Sequence, residues 1–148
     1  MIAYLALALT VALATAQHDQ PCDCAVFLNI NGTDVFITDL PTLYVNFCDQ
    51  HDPCQNHCAD EFDFFTNGGD LGSETPEGPV GQVLCSLLGV PVEDEFVSVY
   101  SNLCNTTWED TGDTTLQPLC CDASSSYYEC PVLTTSDLST TAEPVTLY

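Results

Sequence analysis

The sequence predicts a small, disulfide-stapled α+β domain with one β-hairpin and about three short helices. Three observations carry that prediction. All ten cysteines lie between Cys22 and Cys130, about 9% of that stretch, which is the density of a disulfide scaffold. An Asn-Gly pair separates two runs of β-forming residues, and helix-start and helix-stop residues bracket three segments further on.

Residues 1–16, MIAYLALALTVALATA, come first. This apolar run ends in small residues at the two positions a signal peptidase reads, so cleavage is expected before Gln17. It falls short of the roughly 20 apolar residues of a spanning helix. The chain is therefore expected to be secreted, with a cysteine-rich acidic domain over 17–130. A disordered, Ser/Thr- and Pro-containing tail is expected over 131–148, PVLTTSDLSTTAEPVTLY.

The hairpin is read from CAVFLNINGTDVFITDL, with strands at about 24–30 and 33–39. Asn31-Gly32 supplies two residues that tolerate positive φ, which a two-residue hairpin turn demands. Asn31-Gly32-Thr33 is also a glycosylation sequon, and so is Asn105-Thr106-Thr107. Asn31 and Asn105 are thus the candidate sugar sites.

A first helix is expected at about 53–66, with Asp52 as N-cap, Pro53 in the first turn and Gln55 completing a capping box. Asn67-Gly68-Gly69 supplies the stop. Cys54, Cys58, Phe62 and Phe65 then share one face. Two cysteines four apart are expected to anchor the helix to two other segments. Residues 67–79 read as a loop, followed by a short buried helix over 80–88 with Gly89 and Pro91 behind it. A third helix is expected at about 93–104, opened by Glu93-Asp94-Glu95, with Phe96, Val99, Tyr100 and Leu103 inward and Cys104 as its staple. Residues 105–130 read as loop held by cysteines.

Behind a signal peptide, an even cysteine count predicts up to five bridges among Cys22, Cys24, Cys48, Cys54, Cys58, Cys85, Cys104, Cys120, Cys121 and Cys130. Connectivity stays open at this stage. Adjacent Cys120 and Cys121, and the close pair Cys22 and Cys24, are expected to bond outward, because disulfide geometry suits near neighbours poorly.

Charge decides which functions are allowed. The chain holds 22 acidic residues, no Lys and no Arg, for a formal charge of -22. Such a polyanion cannot neutralise phosphates, so neither nucleic acid nor an anionic membrane is an expected partner. Twenty-two carboxylates without a fixed countercharge also repel one another. Protonation relieves that repulsion, so stability is expected to rise as pH falls toward about 4.5.

One heptapeptide carries a specific chemical suggestion, Cys48-Asp49-Gln50-His51-Asp52-Pro53-Cys54. It resembles the active-site helix signature of secreted phospholipase A2, Cys-x-x-His-Asp-x-Cys. The resemblance implies His51 as general base and Asp52 as a calcium ligand. Phe47 stands where that family has a further cysteine, residues 33–46 contain only a glycine-free stretch where it has a calcium loop, and Pro53 suits a helix that starts after the dyad. The expectation is therefore a non-catalytic protein.

Asp52, His51 and His57 are also the candidate metal ligands, and His18 reads as a flexible N-terminal histidine. No cofactor is expected beyond weak, diffuse Ca2+ binding, for which carboxylates are suitable ligands. Asn67 to Glu74 holds calcium-type residues in a spacing that no EF-hand loop uses. Two function classes remain. One is a structural or interaction component of an extracellular material or secretion, with an oligomeric or cross-linked assembly allowed. The other is a soluble binder of a cationic extracellular protein or peptide.

Overall fold

A computed structural model describes residues 19–131. The expectations for the leader at 1–16, for His18 and for the tail beyond Pro131 lie outside the described residues. The fold is a small, disulfide-rich α+β arrangement built on a four-stranded antiparallel sheet.

The hairpin forms as the sequence predicts and extends further at both ends. Strand β1 is Gln20–Ile30 and β2 is Thr33–Val45. Asn31 and Gly32 both take positive φ, 53° and 81°, and their two-residue turn sets Phe27 opposite Phe36. Asn29 braces it, accepting from the Gly32 N–H at 2.9 Å and donating to Asp34 at 2.7 Å.

Helix α1, His51–Thr66, begins two residues before its expected start. Gln50, not Asp52, is the N-cap residue. The Gln50 side chain instead turns back and accepts from the N–H groups of Asn46 and Phe47, which leaves Asp52 as an acidic first-turn residue at the positive end of the helix. Asn67 ends the helix in the left-handed conformation. Cys54, Cys58, Phe62 and Thr66 are its buried residues, while Phe65 packs only at the edge of the core. Thr66 satisfies its buried hydroxyl by donating to the Phe62 carbonyl and accepting from Gly69.

Residues 67–79 carry a two-residue ladder between β3 (Glu74–Thr75) and β4 (Gly78–Pro79). Helix α2, Val80–Leu88, follows and closes at Gly89. Val80, Gly81, Leu84 and Cys85 form its buried side, whereas Leu87 is exposed.

The expected third helix is absent. Its residues form β5 (Val92–Glu95) and β6 (Val97–Leu103). Val97, Val99, Ser101 and Leu103 are buried in strict alternation, the period of a strand. β6 pairs with the central strand β1, and that pairing overrides the acidic start signal at Glu93-Asp94-Glu95. Residues 105–130 hold two further strands, β7 (Glu109–Thr114) and β8 (Leu119–Cys121). The main sheet has the order β2-β1-β6-β7, and β5 pairs with β8 apart from it.

All ten cysteines pair within the chain: Cys22–Cys54, Cys24–Cys58, Cys48–Cys104, Cys85–Cys121 and Cys120–Cys130. The close neighbours do bond outward. The two α1 cysteines, however, reach one segment rather than two, since both bond to β1. Geometry explains why. Two residues along a strand advance about 6.6 Å, and four along a helix advance about 6 Å. Cys-x-Cys on β1 therefore matches Cys-x-x-x-Cys on α1, and the double staple lays the helix along the strand in the same chain direction.

The main sheet consequently has two unlike faces. Cys22, Cys24, Val26 and Leu28 of β1, with Val97, Val99 and Leu103 of β6, join Phe62, Leu84 and Leu119 in the core. The other face carries Phe27, Phe36 and Tyr100 and is the more open one.

Candidate functional site

The residues singled out for chemistry sit at the start of α1. His51 opens the helix, half exposed, with Nδ1 3.6 Å from Glu109 Oε2 of β7. Asp52 beside it is exposed. The dyad therefore lies inside the helix, contrary to the expectation from Pro53. Its two flanking cysteines bond in different directions, Cys48 to Cys104 and Cys54 to Cys22.

His57 does not join His51. Six residues along a helix rotate by about 240°, and the two rings accordingly address different strands. His57 Nε2 donates to the Pro41 carbonyl of β2 at 3.0 Å, and its Nδ1 lies 4.0 Å from Glu61. Among the described residues, the cluster with metal-ligand spacing is Cys22, Cys54 and Cys58, not the histidines. Those sulfurs are committed to disulfides, which removes the thiolates a soft metal requires.

The calcium-type loop is knit together internally. Asp70 accepts from the Gly72 N–H at 2.9 Å, from the Ser73 hydroxyl at 3.2 Å and from Gln117 at 3.3 Å. Asn67 donates to Ser73 at 2.9 Å. Beside this loop runs a cleft of about 510 Å³ lined by Asp70, Asp94, Tyr127 and Glu129. Burial, reinforced by the Glu129 and Asp70 carboxylates, pushes the Tyr127 phenol above its ordinary pKa. The Tyr127 ring closes over α2 at Gly81, where an added Cβ would lie 2.5 Å from two ring carbons.

The outer face of the main sheet is the third surface. Phe27 is its hub, with ring centroids 5.7 Å from Phe36, 4.8 Å from Tyr100 and 5.4 Å from Trp108. These rings come from β2, β1, β6 and the residue just before β7, so the row crosses the whole sheet. Phe27 is covered, while Phe36 is 49% and Trp108 38% exposed. Acids border the row: Asp34 lies two residues before Phe36 on the same face of β2, and Asp110 sits opposite Tyr100 on the next strand. Burial first, and these two carboxylates second, raise the Tyr100 pKa.

Half of this face was readable beforehand. A two-residue turn at Asn31-Gly32 pairs residues whose numbers sum to a constant, which places Phe27 against Phe36. Tyr100 and Trp108 were hidden, because a helix over 93–104 points Tyr100 inward and leaves Trp108 in a loop. The candidate sugar sites are both exposed, Asn31 at the hairpin tip and Asn105 beyond β6 with φ 56°.

No family model, no curated protein and no solved structure matches the chain. Among the described residues, no helix is long and apolar enough to cross a membrane.

Proposed function

We propose that this chain is a secreted, non-catalytic interaction component of an extracellular secretion, a self-contained acidic module that engages cationic proteins or peptides. One observation carries the reading: five intrachain bridges use every cysteine of a chain with no Lys or Arg. The bridges suit an oxidising compartment and leave no thiol for links to other chains. That favours a soluble module over a cross-linked material.

Among the described residues the ion pairs are those of two histidines, His51 with Glu109 and His57 with Glu61. Nearly all carboxylates thus lack an internal cation, and an external one gains attraction without breaking an existing pair. Weak, diffuse Ca2+ binding follows from the same excess and assigns no residue as a ligand. The sequons at Asn31 and Asn105 suit glycosylation in that compartment.

Calorimetric titration of the secreted native protein with a cationic peptide, oligolysine, tests the reading. Binding is expected at low salt and should weaken strongly across a tenfold rise in salt, as screening shortens the reach of exposed charges. Absence of binding at low salt contradicts it. Calcium-dependent lipid hydrolysis that disappears in His51→Ala would instead establish the phospholipase-like reading.

A further inference from the structure

We propose that the aromatic row on the outer face of the main sheet is the docking site for arginine side chains of a cationic partner peptide. The proposal rests on the functional reading above and adds a place and a side-chain preference to it.

Phe36 of β2, Tyr100 of β6 and Trp108, just before β7, each contact the ring of Phe27 on β1, so the cluster spans the sheet. An isolated pair of this kind would be an ordinary cross-strand contact. Here the row stays open, with Phe36 49% and Trp108 38% exposed, and carboxylates border it. Asp34 lies two residues before Phe36 on β2 and so shares its face, and Asp110 lies opposite Tyr100 in the β6–β7 register. Open aromatic faces beside carboxylates are complementary to one class of side chain, a cation with a flat apolar face.

Arginine fits that description better than lysine. Its planar guanidinium stacks on an aromatic ring while its N–H fork addresses a carboxylate. The chain has no Arg or Lys of its own, so an arginine at this position comes from a partner.

The single tryptophan of the chain is Trp108, so the site carries its own reporter. Oligoarginine titrated into the intact native protein should change Trp108 emission in step with the calorimetric isotherm. Phe36→Ala and Asp34→Asn should each weaken binding about fivefold, the scale of one cation–π contact or charge-assisted hydrogen bond. Asp34→Asn removes a charge from an exposed position and guards against the case in which Phe36→Ala perturbs the sheet. Calorimetric binding with unchanged Trp108 emission, or with both variants at wild-type affinity, would overturn this site and leave the general reading standing. No binding of oligoarginine or oligolysine at low salt would overturn both.

Discussion

Gly81→Ala separates local helix preference from tertiary contact, because the two demand opposite signs. Alanine is favoured over glycine within a helix by about 1 kcal/mol, so on propensity alone α2 should gain. The structure reverses this. A Cβ at residue 81 would meet Tyr127 Cδ2 and Cε2 at 2.5 Å and Cγ at 2.7 Å, against the roughly 3.5 to 4.0 Å at which carbons attract. The ring must therefore retreat by about 1 Å or more.

Its backbone resists that retreat. The Tyr127 N–H donates to Gln82 Oε1 at 3.0 Å, Gln82 Nε2 donates to the Ser125 carbonyl at 3.0 Å, and Tyr127 bridges to Cys121. Overpacking of this kind costs about 1 to 3 kcal/mol. Set against the propensity gain, the substitution should cost a net amount of up to about 2 kcal/mol. In a Tyr127→Ala background the clash is gone and the same change should become neutral or stabilising. Non-reducing urea denaturation followed by circular dichroism measures all four proteins. Gly81→Ala more stable than wild type, or equally costly with and without Tyr127, would refute the reasoning.

Replacing Cys48 and Cys104 by alanine opens the longest bridge, 56 residues, and should cost about 4 kcal/mol by chain entropy. The 10-residue Cys120–Cys130 bridge should cost about 3 kcal/mol, and denaturation midpoints in the reverse order would contradict this. At alkaline pH, Tyr100 and Tyr127 favour the neutral phenol in the fold, so their contribution is full below the ordinary 10.0 and is lost as pH rises through their raised values. Phenolate absorbance should show two late-titrating tyrosines together with a falling melting temperature above that pH. From pH 7 to about 4.5 the melting temperature should rise as carboxylate repulsion is relieved. Asp122 works in the opposite sense, since the Ser124 hydroxyl and the Ser126 amide hold its carboxyl below 3.8. Its contribution is lost only as pH falls below that value, outside the window, so a flat or falling curve from pH 7 to 4.5 would sink the repulsion argument.

The parts of the fold that short-range chemistry specifies were legible in the sequence. Asn31-Gly32 dictates a hairpin turn by its backbone freedom, and Asn67 and Gly89 end their helices for the same reason. Residues 93–104 misled because acids at a helix start and apolar residues three or four apart coexist there with a period-2 pattern at Val97, Val99, Ser101 and Leu103. Long-range pairing with β1 decided between them. The strands of Glu109–Thr114 and Leu119–Cys121 carry little apolar periodicity and exist through their partners. Bridge pairing was legible only in part. The matched spacing of Cys22-x-Cys24 and Cys54-x-x-x-Cys58 becomes informative once one segment is known to be a strand and the other a helix. The aromatic face shared that fate: its hairpin half followed from turn register, and its β6 half waited on the correct assignment of Tyr100.

The most direct test of a self-contained acidic module is non-reducing mass spectrometry of the intact native protein. Digestion must use an acid-residue or aromatic-specific protease, because the chain offers trypsin no Lys or Arg. The account predicts a monomer mass with five intrachain bridges, Cys22–Cys54, Cys24–Cys58, Cys48–Cys104, Cys85–Cys121 and Cys120–Cys130. Free thiols, or peptides joined between chains, would contradict it and point to a cross-linked extracellular material.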